Sequence, residues 1–135
     1  MIGLDTNVIV RLLANDDPAQ TARARRAIAS AEASGEPVLI NDVVLVETLW
    51  TMRTRYRARR YGLATLATSL LDTPSFAFED RDTVERASSL FLASSADFAD
   101  CLIVAKNRAL GARLTLTFDD GMRAVPDVQV LRPAP

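Results

Sequence analysis

Short apolar runs alternate with longer segments of helical period along this chain. Ile2-Gly3-Leu4, Pro37 to Ile40, Phe76 to Phe78, Leu114 to Phe118 and Val128 to Leu131 are compact and rich in branched or aromatic residues. They predict strands. Between them, Asn7 to Ala14, Pro18 to Ser34, Val43 to Arg57, Tyr61 to Leu71, Asp82 to Ala93 and Ala96 to Ala109 predict helices. Asn15-Asp16-Asp17-Pro18 breaks the first helix and starts the second, with Pro18 at its first position. Gly35 and Gly111 close two helices. Asn41 or Asp42 caps the helix from Val43, and Gly121 to Ala124 predicts a short turn or helix. Strands alternating with helices imply an α/β protein with a mainly parallel sheet covered on both faces. The connection between Arg57 and Tyr61 is expected to protrude, and Arg132 to Pro135 to fray.

Length and composition narrow the class. At 135 residues the expectation is a single domain, 1–135, with one core. A hydrophobic fraction of 49% is that of a globular chain. The formal net charge of −1 provides no global field toward nucleic acid or membrane, so any such attraction is local. Met1 to Leu4 reads as a strand and leaves no room for an export signal. No apolar run approaches the roughly 18–20 residues of a membrane span. The expectation is a soluble cytoplasmic protein.

The chain has no histidine, and Cys101 is its only cysteine. That excludes Ser-His-Asp and Cys-His catalysis, and nearly every zinc site. Cys101 reads as inert packing. Carboxylates, hydroxyls, amides and arginines must carry any chemistry.

Sites in open α/β sheets form at the carboxyl ends of strands. Asp5 and Asp119 follow two predicted strands. Taken singly, each reads as a cap or turn former. Glu47 weighs against that. Its helix carries a stripe of Leu45, Leu49, Met52 and Tyr56, and Val43, Val46 and Trp50 on the opposite side. A helix apolar almost all round is expected to be buried, and Glu47 with it. A buried carboxylate needs a partner, either an arginine or a cation. Asp100 repeats the pattern within Phe98 to Ala105. Asp97, three residues earlier, fits a capping box with Ser94. If Asp5, Glu47, Asp100 and Asp119 converge, their repulsion calls for a cation. An all-oxygen ligand set selects Mg²⁺ or Mn²⁺ and suggests metal-assisted attack of water on a phosphodiester.

These residues also carry a resemblance. Leu4-Asp5-Thr6-Asn7 before an apolar helix, Leu45-Val46-Glu47-Thr48, Ala96-Asp97-Phe98-Ala99-Asp100-Cys101-Leu102-Ile103 and Thr117-Phe118-Asp119 resemble, in order, the acidic motifs of PIN-domain nucleases. The chain looks most like the VapC-type toxins of bacterial toxin–antitoxin pairs. The resemblance implies a three-layer α/β/α sandwich around a central, mainly parallel sheet. It implies a Mg²⁺- or Mn²⁺-dependent endoribonuclease, neutralised by a cognate antitoxin and homodimeric. Asp5, Glu47, Asp100 and Asp119 are then the catalytic and metal-holding acids, with Asp97 a further candidate ligand. Thr6, Asn7 and Thr117 are polar support.

Arg53, Arg55, Arg57, Arg59 and Arg60 crowd eight residues, interleaved with Tyr56 and Tyr61. Such a run either solvates a helix end or holds RNA phosphates. Arg11, one turn after Asn7, is placed to reach a phosphate or pair with a site acid. Two other readings compete: a catalytically inactive PIN-like protein-binding module, and a phospho-acceptor signalling domain. The latter wants a lysine after a late strand, whereas Lys106 precedes Leu114 to Phe118.

Overall fold

β2 of this protein, Val38–Ile40, runs directly into Asn41, the polar residue that caps the next helix. The computed structural model describes residues 1–134. Pro135, the end of the expected frayed tail, lies outside the described residues. The chain divides into two compact units, Met1–Glu79 and a second beginning at Asp80.

The first unit is built as β1 (Ile2–Gly3), α1 (Thr6–Ala14), α2 (Pro18–Ala33), β2 (Val38–Ile40), α3 (Asp42–Thr54), α4 (Arg60–Leu71) and β3 (Phe76–Phe78). Its strands pair in the order β1-β2-β3, both pairs parallel. Ile2 lies opposite Val38, and Val38 opposite Phe76. Val38 and Ile40 of the middle strand are fully buried. Burying each contributes roughly 1.5–3 kcal/mol. Ile9, Leu45, Leu49, Leu63 and Leu70 supply the helical share of this unit's core.

Local chemistry sets the helix ends. Asp17 caps α2, accepting from the Gln20 N–H at 3.1 Å, with Pro18 in the first position as expected. Asn41, rather than Asp42, caps α3, accepting from the Val44 N–H at 2.8 Å. α2 ends on Gly35 at φ 68°, where the Glu36 N–H reaches the Ala31 carbonyl at 2.8 Å. Without a Cβ, Gly35 takes this left-handed turn at no steric cost. α3 stops at Thr54, short of the expected Arg57. Arg57 adopts φ 56° instead, and the Ala58 N–H closes on the Met52 carbonyl at 2.9 Å.

The second unit comprises α5 (Arg81–Ala93), α6 (Phe98–Ala109), β4 (Thr115–Thr117), a short 3₁₀ turn (Asp120–Met122) and β5 (Val128–Val130). β4 and β5 are parallel, with Thr115 opposite Val128. α5 and α6 pack through Phe91 and Phe98, whose rings meet edge to face at 5.9 Å. The Asn107 amide donates to Thr115 Oγ1 at 3.0 Å and ties α6 to β4. Cys101 is buried, in line with its reading as packing. Among the described residues no helix is long and apolar enough to cross a membrane.

The expected burial of α3 all round is not observed. Val44, Leu45, Thr48, Leu49 and Met52 face inward. Val43 is 74% exposed and Trp50 56% exposed. Glu47 lies on that open face and is itself exposed. Apolar content on two sides of a helix does not bury both sides when only one is covered by neighbours.

Candidate active site

Asp5 leaves β1 in extended backbone, φ −84° and ψ 157°, as α1 begins. Its Oδ1 accepts the Thr6 N–H at 2.7 Å. The Thr6 hydroxyl donates to Glu47 Oε1 on α3. Thr6 is buried, and this one residue joins the two acids, through its backbone N–H to Asp5 and through its hydroxyl to Glu47. One oxygen of each carboxylate is engaged by Thr6, while Asp5 Oδ2 and Glu47 Oε2 remain for other partners.

Asp5, Thr6, Asn7, Arg11, Glu47, Thr51 and Arg55 line one cleft of about 310 Å³, with Val10 at its apolar side. The cleft thus holds two carboxylates and two guanidinium groups. Glu47 makes no ion pair with either, so the buried arginine partner considered from the sequence is not formed. Arg11 is directed elsewhere. Its guanidinium bonds Gln20 Oε1 at 2.6 Å and Asp16 Oδ1 at 3.1 Å. Of the two roles expected for Arg11, a phosphate contact or a pair with a site acid, the second is not formed: its ion pair is with Asp16. Tyr56 also donates to Asp16, at 2.7 Å, and is tied down rather than free for a base. The Tyr56 hydroxyl bond, helped by Arg11, holds the Asp16 carboxyl below the usual range. Arg55 has no ion pair among the described residues.

In the second unit, Asp119 follows β4 and accepts the Gly121 N–H at 2.8 Å. Its own N–H donates to Thr117 Oγ1 at 3.0 Å, so Thr117 orients it. Asp5 and Asp119 both therefore cap the turn after their strands, as the plain reading has it. Asp97 stands at the N-cap position of α6 without a side-chain cap bond. The capping box with Ser94 is not formed. The Ser94 hydroxyl donates to the Leu90 carbonyl at 2.8 Å and accepts from the Ala96 N–H at 3.4 Å. Asp100 lies in the first turn of α6 and is only partly buried. The positive end of the helix dipole favours its charge there, a stabilisation absent from a reading based on apolar neighbours alone.

Glu79 was not singled out by the sequence. It follows β3 as Asp5 follows β1, and its Oε2 accepts the Asp42 N–H at 2.7 Å at the start of α3. An acid immediately after Phe76-Ala77-Phe78 is the signal that could have marked it.

Among the described residues, no three His, Cys, Asp or Glu side chains are gathered so as to hold a metal ion by themselves. The donors of the cleft nevertheless suit a hard cation. Asp5 and Glu47 offer carboxylate oxygens in one cleft, and Mg²⁺ commonly takes one or two carboxylates while keeping several waters.

The PIN domain family model matches residues 2–128. PIN domains are generally nucleases and typically use divalent metal ions. No curated protein matches the chain.

Proposed function

Because the chain belongs to the PIN domain family, we propose that it is a Mg²⁺- or Mn²⁺-dependent endoribonuclease, the toxin of a VapC-type toxin–antitoxin pair. The observation that carries this reading is the Thr6 bridge, which sets Asp5 and Glu47 side by side in one cleft beside Arg55. Asp5 and Glu47 would hold the cation. The motif resemblance adds Asp100 and Asp119 to the acidic set, with Asp97 as a further candidate.

When bound, the cation supplies Lewis acidity and makes water a competent nucleophile near neutral pH. Hydrolysis adds a water to phosphorus, breaks the bond to the leaving ribose oxygen and returns a proton to it. Thr6 fixes the rotamers of both acids by occupying Asp5 Oδ1 and Glu47 Oε1. Glu47 Oε2 is then available to accept from water. Arg55 is placed to bind a non-bridging phosphate oxygen and offset its charge. Asn7 adds an exposed amide to the same cleft. The Arg53–Arg60 run supports RNA binding, because a chain of net charge −1 must attract RNA locally. Homodimerisation, neutralisation by a cognate antitoxin and action in the cytoplasm belong to this reading and rest on the resemblance.

The test is incubation of purified protein with total RNA in Mg²⁺, Mn²⁺ or EDTA. Asp5→Asn, Glu47→Gln, Asp100→Asn and Asp119→Asn are run alongside. Discrete fragments that require metal and disappear in the variants are expected. Cleavage that persists in every variant overturns the acidic site. Metal binding without cleavage of any RNA favours the binding-module alternative.

A further inference from the structure

The outward face of α3 carries more than Glu47. Trp50 follows it by three residues, which places the two side chains as neighbours about 5–6 Å apart at Cβ. Trp50 is 56% exposed. A large indole in solvent gives up burial worth a few kcal/mol, and nothing in the first unit's core explains it. Past Trp50 the same helix runs into the arginine-rich connection. Arg55, Arg57 and Arg59 carry no ion pair among the described residues, and Tyr61 is largely exposed. Aromatic rings beside unpaired guanidinium groups are the composition that binds single-stranded nucleic acid. Bases stack on the rings and phosphates meet the cations.

We propose that Trp50 is a stacking platform for an unpaired nucleobase, and so a positioning residue for the nucleotide that lies at the cleft. The inference rests on the ribonuclease reading and names a base-binding subsite of that site. With Trp50 one turn from Glu47, the stacked base belongs to the nucleotide at or beside the phosphate facing the cleft. Charge complementarity favours RNA over a protein occupant. A second copy or partner helix centred on Trp50 would bury Glu47 and Arg53 as well, at a desolvation cost its small apolar share (Val43, Val46 and Trp50) does not offset.

Trp50 is the only tryptophan, so intrinsic fluorescence reports on it alone. The full chain in EDTA is titrated with a single-stranded oligoribonucleotide, its duplex, and an abasic oligomer of equal charge. Anisotropy of labelled RNA measures binding in parallel. Quenching by the single strand, but not by the duplex or abasic oligomer, is expected. Trp50→Ala should weaken single-strand binding about tenfold, within the range for losing one base–aromatic stack. Trp50→Phe should restore most of it, with circular dichroism confirming that both variants fold.

Equal quenching by the abasic oligomer overturns the platform, as does saturated binding without quenching. Dissociation of a dimer by Trp50→Ala, with RNA affinity unchanged, makes the face a contact between copies. Wild-type cleavage by Trp50→Ala overturns the platform and leaves the nuclease standing. Quenching without cleavage in either metal keeps the platform and overturns the nuclease. Failure of the wild-type chain to bind any RNA overturns both.

Discussion

Thr48 neighbours Glu47 in sequence but faces the opposite way, and its hydroxyl is the one buried side-chain polar atom without a hydrogen-bond partner among the described residues. It is 0% exposed. Replacing it with valine keeps the β-branched shape and exchanges the hydroxyl for a methyl group. An unmet buried hydroxyl costs about 1–3 kcal/mol. The new methyl adds about 0.8 kcal/mol of burial. Allowing for imperfect fit, Thr48→Val should stabilise the protein by about 1–2 kcal/mol. For a chain of 135 residues that corresponds to a melting temperature higher by about 4–8 °C. Scanning calorimetry of wild type, Thr48→Val and Thr48→Ala measures it. Alanine removes the same hydroxyl but leaves a cavity, so it should gain much less than valine or lose. Cleavage should be unchanged in Thr48→Val, because the residue points away from the cleft. An unchanged or lower melting temperature for valine refutes the reasoning, since it means the native hydroxyl is satisfied.

Three further outcomes are expected. Asp16 has its carboxyl pKa lowered from 3.8, chiefly by Tyr56 and then by Arg11. Its stabilising effect is therefore complete above about pH 3.8 and fades as pH falls through the lower folded value. Melting curves of wild type and Asp16→Asn should differ at neutral pH and converge in acid; a constant gap would show that the Arg11–Asp16–Tyr56 cluster does not titrate. Cys101 is 0% exposed, so its thiol should resist disulfide reagents until denaturant is added, and Cys101→Ser should cost about 1–3 kcal/mol by burying a hydroxyl. Stoichiometric labelling in native buffer would contradict that. Millimolar Mg²⁺ or Mn²⁺ should raise the melting temperature by binding the native state, and Asp5→Asn or Glu47→Gln should reduce the rise; a metal-independent melting curve would count against the cleft as a cation site.

The sequence by itself determined what near neighbours decide. Helix ends depend on a cap and a few backbone groups within one turn. Asp17, Asn41 and Gly35 were accordingly legible, and so were all the strands to within a residue or two. The order of acidic motifs was legible too, and with it the family. Tertiary structure decided the rest. Whether α3 buries one face or two cannot be read from a helix apolar on both sides, because exposure depends on what packs against it. The Thr6–Glu47 bond spans 41 residues and the Asp42–Glu79 bond 37, and no periodicity encodes such pairings. Tyr56, set among arginines, offers a ring for stacking by sequence, but Asp16, 40 residues away, holds it; Trp50 lies in an apolar helix, yet the fold leaves it in solvent. Side-chain roles of this kind follow from which surfaces the packed chain brings together, and a linear pattern carries only the faces each element has to offer.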